Sequence, residues 1–591
     1  MMYASYVKGA SHTMTKTTIV FELATAAACI VGAGDKVYLW PEGKMPDPQP
    51  HQIAAMTDVV GRKDFNRDEW RRPYIEWMEA PKEDVKTDAC VILISGGAYQ
   101  NQCDVGLVRD WARNLTALGV TCVNFVHRTP RPKNLPIHQS AWEDGQRAVR
   151  LVRSEAEKRG FNPEKIGVFS MSAGSHLATL LATSSQTNAY ETVDELDAIP
   201  CHINWACAFA IAYGMTDGIG HPNKQGGDAE GVVLDPIFKF DSKTCPMCMM
   251  HGGKDPYSPM SSTHVYRRLR SMNIPAEVHL YPDKGHGAFG FPRAVEFMRQ
   301  MGYLPHVTKV QAAIMSRFPD DDARAEYAKE TIWPEGKTPD PQKNQCEPYI
   351  EWHMPKVLKT KAIQIVFSGG AYGNNAPDGF EVAPVWRYLN QKGMAVVTLK
   401  YRTPRPAPPL PKHATAWEDL QRAIRIVRSE AAERGLDPDR IGVMGSSAGG
   451  HLALLGAVSS MRNAYEPIDD IDKAPCNVQW AVAIYPAYVL TDGLNGKNER
   501  GGNDDSARIA PEFDFDAATA PVLFVHGDAD GIAAMNSVKA WEQLRRMGVQ
   551  GEVHTLAKRG HCFHHQTLPG TGSYTYLDRV WEFLSTKGFN K

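Results

Sequence analysis

The 591-residue sequence has little net charge and few cysteines. Its 65 Lys and Arg residues nearly balance its 67 Asp and Glu residues, so the formal net charge is −2. Without an overall field of one sign, we expect no nucleic-acid partner, and we expect ligands to be recognised by local contacts. The 11 cysteines are too few for a disulfide scaffold, and their odd number leaves at least one thiol unpaired or in an intermolecular bond.

The N-terminal segment also lacks a long uncharged run. Its longest uncharged stretch, Leu23–Gly34, has 12 residues, whereas a spanning helix takes about 18 or more. We therefore expect no membrane span. Lys16 followed by the apolar run Ile19–Val31 predicts a secretory signal peptide within a leader of residues 1–35, and hence a secreted or periplasmic protein. Glu22 interrupts the apolar run and keeps a cytoplasmic location open.

The sequence contains an internal repeat with a period of about 275 residues. Five short motifs recur: WPEGK at 40 and 333, YIEW at 74 and 349, SGGAY at 95 and 368, RTPRP at 128 and 402, and AWED at 141 and 416. A period of this size predicts a tandem duplication of a whole domain. We predict a first domain at 36–316, a linker at 317–329 and a second domain at 330–591.

Each copy alternates apolar β-branched runs with segments of helical periodicity. The runs Val91–Ile94 and Ile363–Phe367 predict strands, and Ala141–Ala156 places its apolar residues on one helical face. Such alternation is typical of βαβ units. The predicted fold class is α/β, with two tandem domains that each contain a mostly parallel sheet covered by helices on both faces.

A predicted strand in each copy runs directly into a short turn rich in small residues. The turn reads Ser170-Met-Ser-Ala-Gly in the first copy and Gly445-Ser-Ser-Ala-Gly in the second, and a helical pattern follows each. A strand–turn–helix with a central serine between small residues is typical of a nucleophile elbow. The candidate nucleophiles are Ser172 and Ser447. The second copy fits the GxSxG pattern, whereas Ser170 replaces its first glycine.

Acid and histidine partners follow each serine at identical distances along the chain. Asp255 follows Ser172 by 83 residues and His286 follows Asp255 by 31, and the same spacings separate Ser447, Asp530 and His561. The order Ser, Asp, His is that of α/β-hydrolases. In such a triad the histidine takes the proton of the serine hydroxyl, and the acid orients the imidazole.

A second acid competes with Asp530 for the role in the second copy. Asp528 lies two residues earlier, but the first copy has Gly253 at the matching position. A residue that serves the same chemistry in both copies is expected to recur. The comparison of the two copies therefore favours Asp530.

Two other clusters suggest metal or redox chemistry and are interpreted otherwise. His564 and His565 follow His561, but the first copy has no matching histidines and no carboxylate stands at ligand spacing. Cys245 and Cys248 lie in an apolar run typical of a buried strand, where residues three apart face opposite sides. We therefore expect neither a metal nor a cofactor.

The turn after the first predicted strand of each copy offers closely spaced backbone amides. The glycines of SGGAY stand where the second donor of an oxyanion hole normally lies, and the amide after the nucleophile supplies the other. The predicted donors are Gly97, Ala98 and Ala173 in the first copy and Gly370, Ala371 and Ala448 in the second.

These residues resemble the α/β-hydrolase superfamily, and more closely its esterase branch related to hormone-sensitive lipases and to gut-bacterial feruloyl and acetyl xylan esterases. The resemblance runs over Trp40–Phe297 and Trp333–Phe583. SGGAY stands where these families carry HGGG or PGGGY, and Tyr401-Arg-Thr-Pro stands where they carry YRLAP. The first copy has His127 in place of that tyrosine.

The resemblance implies a serine carboxylic ester hydrolase that removes acetyl or feruloyl groups from plant polysaccharides, with a small ester or an acylated oligosaccharide as its substrate. The triads predict an acyl-enzyme at each serine. A serine peptidase of prolyl-oligopeptidase type, or a repeat that serves as a non-catalytic platform, stays open, as does the oligomeric state. Tyr485 aligns with Ala210, so we expect the two pockets to differ.

Overall fold

The computed structural model describes residues 35–48, 72–79, 87–102, 105–216, 232–305, 329–377, 379, 381–491, 507–563 and 576–590. The predicted leader and linker lie outside the described residues except for Asp35 and Lys329, and His564 and His565 also lie outside them. Lys329, which the sequence placed in the linker, is the first residue of a strand. None of the helices in the described part of the chain is long and apolar enough to cross a membrane.

The first repeat consists of alternating strands and helices. Its strands are β1 (Lys36–Tyr38), β2 (Tyr74–Met78), β3 (Cys90–Ile94), β4 (Thr121–Val126), β5 (Ile166–Met171), β6 (Trp205–Phe209), β7 (Met247–Gly252) and β8 (Ala276–Tyr281). Its helices are α1 (Val105–Thr116), α2 (Gln139–Ser154), α3 (Ala156–Arg159), α4 (Ala173–Thr183), α5 (Met260–Ser271) and α6 (Phe291–Gln300). Gly160 follows α3 in the left-handed region at φ 70°, a conformation in which helices commonly end.

The second repeat has the same succession. Its strands are β9 (Lys329–Thr331), β10 (Tyr349–His353), β11 (Ile363–Phe367), β12 (Ala395–Lys400), β13 (Ile441–Ser446), β14 (Trp480–Ile484), β15 (Val522–Gly527) and β16 (Glu552–Leu556). Its helices are α7 (Ala383–Gln391), α8 (Ala414–Ala431), α9 (Ala448–Val458), α10 (Met535–Arg546) and α11 (Tyr576–Thr586). The strands predicted at 91–94 and 363–367 fall in β3 and β11.

All sixteen strands form one continuous sheet. The order is β1-β2-β4-β3-β5-β6-β7-β8 in the first repeat, and the second repeat continues it in reverse as β16-β15-β14-β13-β11-β12-β10-β9. In the first repeat the six strands β3 to β8 pair in the parallel direction, and in the second repeat the six strands β11 to β16 do the same. The pairs β1–β2, β2–β4, β9–β10 and β10–β12 at the two ends of the sheet are antiparallel. The predicted α/β class with mostly parallel sheets is confirmed.

Helices cover both faces of this sheet because successive strand residues point to opposite sides. In β3, Ile92 packs into the core beneath α2, α4 and α5, whereas Val91 and Leu93 pack beneath α1 and α6. The core that contains Ile92 extends through both repeats, since the matching residues of α8, α9 and α10 belong to it. The two copies therefore share one apolar layer as well as one sheet.

The repeats meet where β8 pairs with β16 in the antiparallel direction, with His279 opposite His554. The Arg270 Nε lies 2.5 Å from Asp528 across this junction. Asp528 therefore contributes to the contact between the repeats rather than to the triad. Because β8 and β16 are antiparallel, the carboxyl ends of the parallel strands lie at opposite edges of the sheet in the two repeats.

Three of the repeated motifs meet in a buried contact that fixes the chain beside the sheet. The Arg128 Nε donates to both carboxylate oxygens of Asp144, at 2.9 and 3.0 Å, and the indole of Trp40 donates to the same carboxylate at 2.7 Å. Arg402 and Asp419 repeat this ion pair in the second copy at 2.8 and 3.0 Å. The recurrence of WPEGK, RTPRP and AWED thus has a structural cause.

Candidate active sites

The two candidate nucleophiles lie at sharp turns between a strand and a helix. Ser172 follows β5 at φ 58° and ψ −122°, and Ser447 follows β13 at φ 56° and ψ −118°. A positive φ is strained for a residue with a side chain, and such strain is common at functional sites. A Cβ on Gly174 would lie 2.4 Å from the carbonyl oxygen of Ser95, which explains the small residue at this close approach.

Ser170, the departure from the GxSxG pattern, is accommodated by hydrogen bonds. Its Oγ lies 3.2 Å from the Ser175 Oγ and 3.3 Å from the carbonyl oxygen of Cys207. In the second copy a Cβ on Gly445 would lie 2.3 Å from the Gly449 carbonyl oxygen, so glycine is required there. The first copy therefore reaches the same turn with a different local packing.

The structure brings together the three predicted residues of each copy. In the first repeat the Ser172 Oγ lies 2.9 Å from His286 Nε2, and His286 Nδ1 lies 2.8 and 3.0 Å from the carboxylate oxygens of Asp255. In the second repeat the Ser447 Oγ lies 3.0 Å from His561 Nε2, and His561 Nδ1 lies 2.8 Å from the Asp530 carboxylate.

The charge of the acid fixes the tautomer of the histidine. Burial would raise the pKa of the Asp255 carboxyl, but hydrogen bonds from His251 and His286 outweigh burial and hold this pKa well below its usual range. His526 and His561 do the same for Asp530. An ionised carboxylate only accepts hydrogen bonds, so the histidine carries its proton on Nδ1 and presents a free Nε2 lone pair to the serine.

His251 and its counterpart His526 were not predicted from the sequence, although they begin the HGGKD and HGDAD segments that contain the acids. The His251 Nε2 lies 3.0 Å from the carbonyl oxygen of Tyr257 and 3.3 Å from the carboxylate of Asp255, and the ring also contacts the Ser262 hydroxyl at 2.9 Å. Each of these histidines thus contacts the acid in addition to the triad histidine. Their recurrence in both copies was the available signal.

The SGGAY loop lies against the nucleophile turn in both repeats. Gly97 and Ala98 have φ values of 128° and 54°, and the side chain that follows, Tyr99, contacts His176 Nδ1 at 2.8 Å. Ala173 is the first residue of α4, where an N–H has no carbonyl partner within the helix. The assignment of these amides to an oxyanion hole remains a prediction.

The predicted difference between the two pockets is visible beside the triad histidines. The Tyr485 ring packs against the His561 ring with centroids 4.6 Å apart, and Ala210 occupies the matching place in the first copy. There the Tyr257 ring packs on His286 instead, at 5.1 Å. Each histidine is therefore contacted by an aromatic residue from a different strand end.

Two groups among the described residues have metal-ligand chemistry, and both lie outside the triads. One consists of Cys248, Glu277 and His279, and the other of His413, His451 and Glu512. Glu277 already accepts two hydrogen bonds from the guanidinium of Arg293, at 2.8 and 2.5 Å, and a second cation beside that group would be repelled. In the other group, hydrogen bonds to the Tyr372 hydroxyl and the Glu512 carboxylate engage both ring nitrogens of His451.

The parallel sheet, the strand–serine–helix turns and the chain order of the partner residues define a protein with two α/β-hydrolase repeats. The chain belongs to the BD-FAE family, whose family model matches residues 78–269 and again 350–544. One match falls in each repeat, as a tandem duplication requires. The predicted resemblance to α/β-hydrolase esterases is confirmed.

Several relatives of the chain carry the names of ester hydrolases. The chain is 29% identical over 221 residues to a probable carboxylic ester hydrolase, LipM, of Mycobacterium tuberculosis, a match that covers 34% of this chain and 50% of that protein. It is 33% identical over 131 residues to an acetylxylan esterase of Xylanibacter ruminicola, covering 22% of this chain and 23% of that protein. The chain thus spans about half the length of the first of these relatives.

Among solved structures, the chain is similar to an acetyl ester-xyloside bifunctional hydrolase from Caldicellulosiruptor lactoaceticus. The sequence identity is 24% and the TM-score is 0.37. The match covers 45% of this chain and 97% of that structure.

Proposed function

We propose that the protein is a serine carboxylic ester hydrolase with one catalytic centre in each repeat. The observation that carries this proposal is the pair of hydrogen-bonded Ser–His–Asp groups, with serine-to-histidine distances of 2.9 and 3.0 Å. The triad histidine side chains are 27% and 32% exposed, so a substrate can reach them, whereas both acids are fully shielded. The ester hydrolases among its relatives support the same reaction class.

Each residue has a defined role in the reaction. His286 Nε2 takes the proton of Ser172 as its Oγ attacks the ester carbonyl carbon, and the Asp255 carboxylate stabilises the imidazolium that forms. Backbone amides of Gly97, Ala98 and Ala173 stabilise the oxyanion of the tetrahedral intermediate. The alcohol leaves with the proton from His286, and water then hydrolyses the acyl-enzyme by the same steps.

The proposed substrate is an acetyl or feruloyl ester on a plant polysaccharide, or a small ester of the same kind. The name of the acetylxylan esterase relative supports the acetyl group, and the near-zero net charge of the chain suits a substrate held by local contacts. Because plant polysaccharides lie outside the cell, we also propose a secreted or periplasmic location for the protein.

Serine replacement tests the proposal. Wild type, Ser172→Ala, Ser447→Ala and the double variant are assayed with p-nitrophenyl acetate, methyl ferulate, acetylated xylan and a p-nitroanilide. We expect each single variant to lose the contribution of one repeat and the double variant to lose about 10⁴-fold or more in kcat. Circular dichroism and thermal unfolding confirm that the variants fold.

Each outcome decides between named alternatives. Ester hydrolysis near the wild-type rate in the double variant would refute both triads. Hydrolysis of the anilide but not of the esters would favour the peptidase. A single variant with no residual activity would make the other repeat the non-catalytic platform.

A further inference from the structure

The second repeat has a buried carboxylate beside its nucleophile. Glu381 is 8% exposed. Its Oε2 accepts a hydrogen bond from the Gly369 amide at 2.7 Å, and its Oε1 accepts one from the Tyr485 hydroxyl at 2.9 Å. Both oxygens of Glu381 thus accept hydrogen bonds, as the oxygens of a carboxylate do.

The position of Gly369 shows how close this charge is to the reacting atom. A Cβ on Gly369 would lie 2.8 Å from the Ser447 Cβ and 3.2 Å from Glu381 Oε2, so the carboxylate oxygen lies within 6.0 Å of the Ser447 Cβ. Gly369 also begins the glycine pair of the loop assigned to the oxyanion hole. Glu381 therefore contacts the backbone that the acyl oxygen would approach.

The other oxygen of Glu381 connects this loop to the catalytic base. Its partner, Tyr485, packs its ring 4.6 Å from the ring of His561. One side chain thus joins the oxyanion loop to the residue that lies against His561. A hydrogen bond to a charged group is stronger than one between neutral groups, so this link restrains the aromatic ring.

Among its described residues, the first repeat lacks this connection. Ala210 stands in place of Tyr485 and has no hydroxyl. Among the described residues of the first repeat, no carboxylate accepts a hydrogen bond from the amide of Gly96, which corresponds to Gly369. The ring on His286 belongs to Tyr257, whose hydroxyl lies 3.4 Å from that of Tyr213, a neutral partner. The two centres therefore share the triad but differ in the charge placed next to it.

We propose that Glu381 makes the second centre selective for esters with an uncharged acyl group, and that Tyr485 is a positioning residue for His561. This inference rests on the proposed ester hydrolase activity. A fixed negative charge near a bound carboxylate repels it, and the burial of Glu381, which is 8% exposed, limits the screening of that charge by solvent. We expect the first centre, where the described residues place no such charge, to accept acyl groups that end in a carboxylate more readily than the second centre does.

The test uses two esters that differ in the charge of the acyl group, p-nitrophenyl butyrate and mono-p-nitrophenyl succinate. Ser172→Ala reports the second centre and Ser447→Ala reports the first. We expect the ratio of kcat/KM for the neutral over the anionic ester to be about tenfold higher at the second centre, from a like-charge repulsion at an effective dielectric constant of about 20. Equal ratios at the two centres would overturn the inference.

Two further variants in the Ser172→Ala background separate the roles. Glu381→Gln keeps the shape and removes the charge, so the neutral-to-anionic ratio is expected to fall at least about fivefold. Tyr485→Phe keeps the charge and is expected to lower kcat for both esters alike with the ratio retained. A Glu381→Gln variant that hydrolyses the butyrate ester with an unchanged ratio would refute the selectivity role, and unchanged kcat in Tyr485→Phe would refute the positioning role.

The same assay distinguishes the failure of the inference from the failure of the proposed function. If neither single-serine variant hydrolyses p-nitrophenyl butyrate above the double variant, the ester hydrolase proposal fails. If both hydrolyse it and discriminate equally against the succinate ester, only the selectivity inference fails.

Discussion

Replacement of Glu277 by Gln tests the contact between the two repeats. Glu277 lies on β8, is fully buried, and accepts hydrogen bonds from Arg293 at 2.8 and 2.5 Å and from the Ala557 amide of the second repeat at 2.6 Å. Burial would raise the pKa of Glu277, but Arg293 and His279 outweigh burial and lower it to about 2. The variant keeps the shape and removes the charge.

The lowered pKa sets the size of the effect. A fall from the ordinary value of 4.5 to about 2 corresponds to about 3 kcal/mol of folding stability at neutral pH. Removal of one partner from a buried ion pair gives a similar figure, about 3–5 kcal/mol, because the Arg293 guanidinium stays buried without its counter-ion. We expect Glu277→Gln to lower the free energy of unfolding by about 3 kcal/mol at pH 7.

The sign of the pH dependence follows from the same pKa. The contribution of Glu277 is fully present above the unfolded-state pKa of 4.5 and is lost as the pH falls from there towards 2. The difference between wild type and Glu277→Gln should therefore shrink to about 1–2 kcal/mol at pH 3. Urea unfolding followed by tryptophan fluorescence at pH 7 and pH 3 measures it.

Glu552→Gln is the matched control on the opposite strand. Glu552 occupies the position of Glu277 on β16 and pairs with Arg579, but Arg579 also contacts Glu582 at 2.6 Å and keeps that partner after the change. We expect a loss of about 1–2 kcal/mol. A loss below about 1 kcal/mol for Glu277→Gln at pH 7, or a difference that grows in acid, would refute the reasoning.

Three further predictions concern the site and the core. Asp530→Asn in the Ser172→Ala background should lower kcat for p-nitrophenyl acetate about 10⁴-fold by favouring the wrong tautomer of His561, and a loss below tenfold would contradict the triad. Because hydrogen bonds hold the pKa of the triad acid well below its usual range, protonation of this acid should not contribute to the fall of kcat/KM in acid above a pH of about 4; a two-proton limb there would contradict this. Gly442→Ala should lower the free energy of unfolding by about 3 kcal/mol or more, because the added Cβ would lie 2.0 Å from the indole of Trp480. Thermal unfolding measures this loss, and Gly106→Ala, whose Cβ would meet no atom within 4 Å, is the control.

The sequence predicted the fold class, and it named the residues that the structure brings together at each serine, because the duplication supplied a second copy of every motif for comparison. Asp530 could be separated from Asp528 only because Gly253 stands opposite the latter. Comparison of the two copies could not show that Asp528 contacts Arg270 of the first repeat, because a residue at the contact between the copies need not recur in both of them.

The junction between the repeats was not predicted from the sequence for a physical reason. Glu277 and His279 alternate with Ala276, Val278 and Leu280 along β8, a pattern typical of a strand with one face in water. The structure buries the polar face as well, because carboxylates, histidines and Arg293 satisfy one another there. Polar residues that pair only after two domains meet give no separate signal along the chain.

Some contacts at the site also required the structure. Tyr99 ends the SGGAY motif and His176 lies just after the first nucleophile turn, yet nothing in their separation of 77 residues indicates the 2.8 Å contact. Among the described residues, the link from Glu381 to Tyr485 occurs in the second copy. Comparison of the repeats showed that Tyr485 stands opposite Ala210 but could not show that Tyr485 contacts Glu381.

The antiparallel pairing of β8 with β16 has a consequence for how two centres can work in one chain. Nucleophile turns lie at the carboxyl ends of parallel strands, and these ends point to opposite edges of the joined sheet. Ser172 and Ser447 therefore face away from each other, and one ester group cannot contact both. If both centres are active as proposed, we expect each to complete its own acyl-enzyme cycle, so the residues around the two triads can differ, as Tyr485 and Ala210 do.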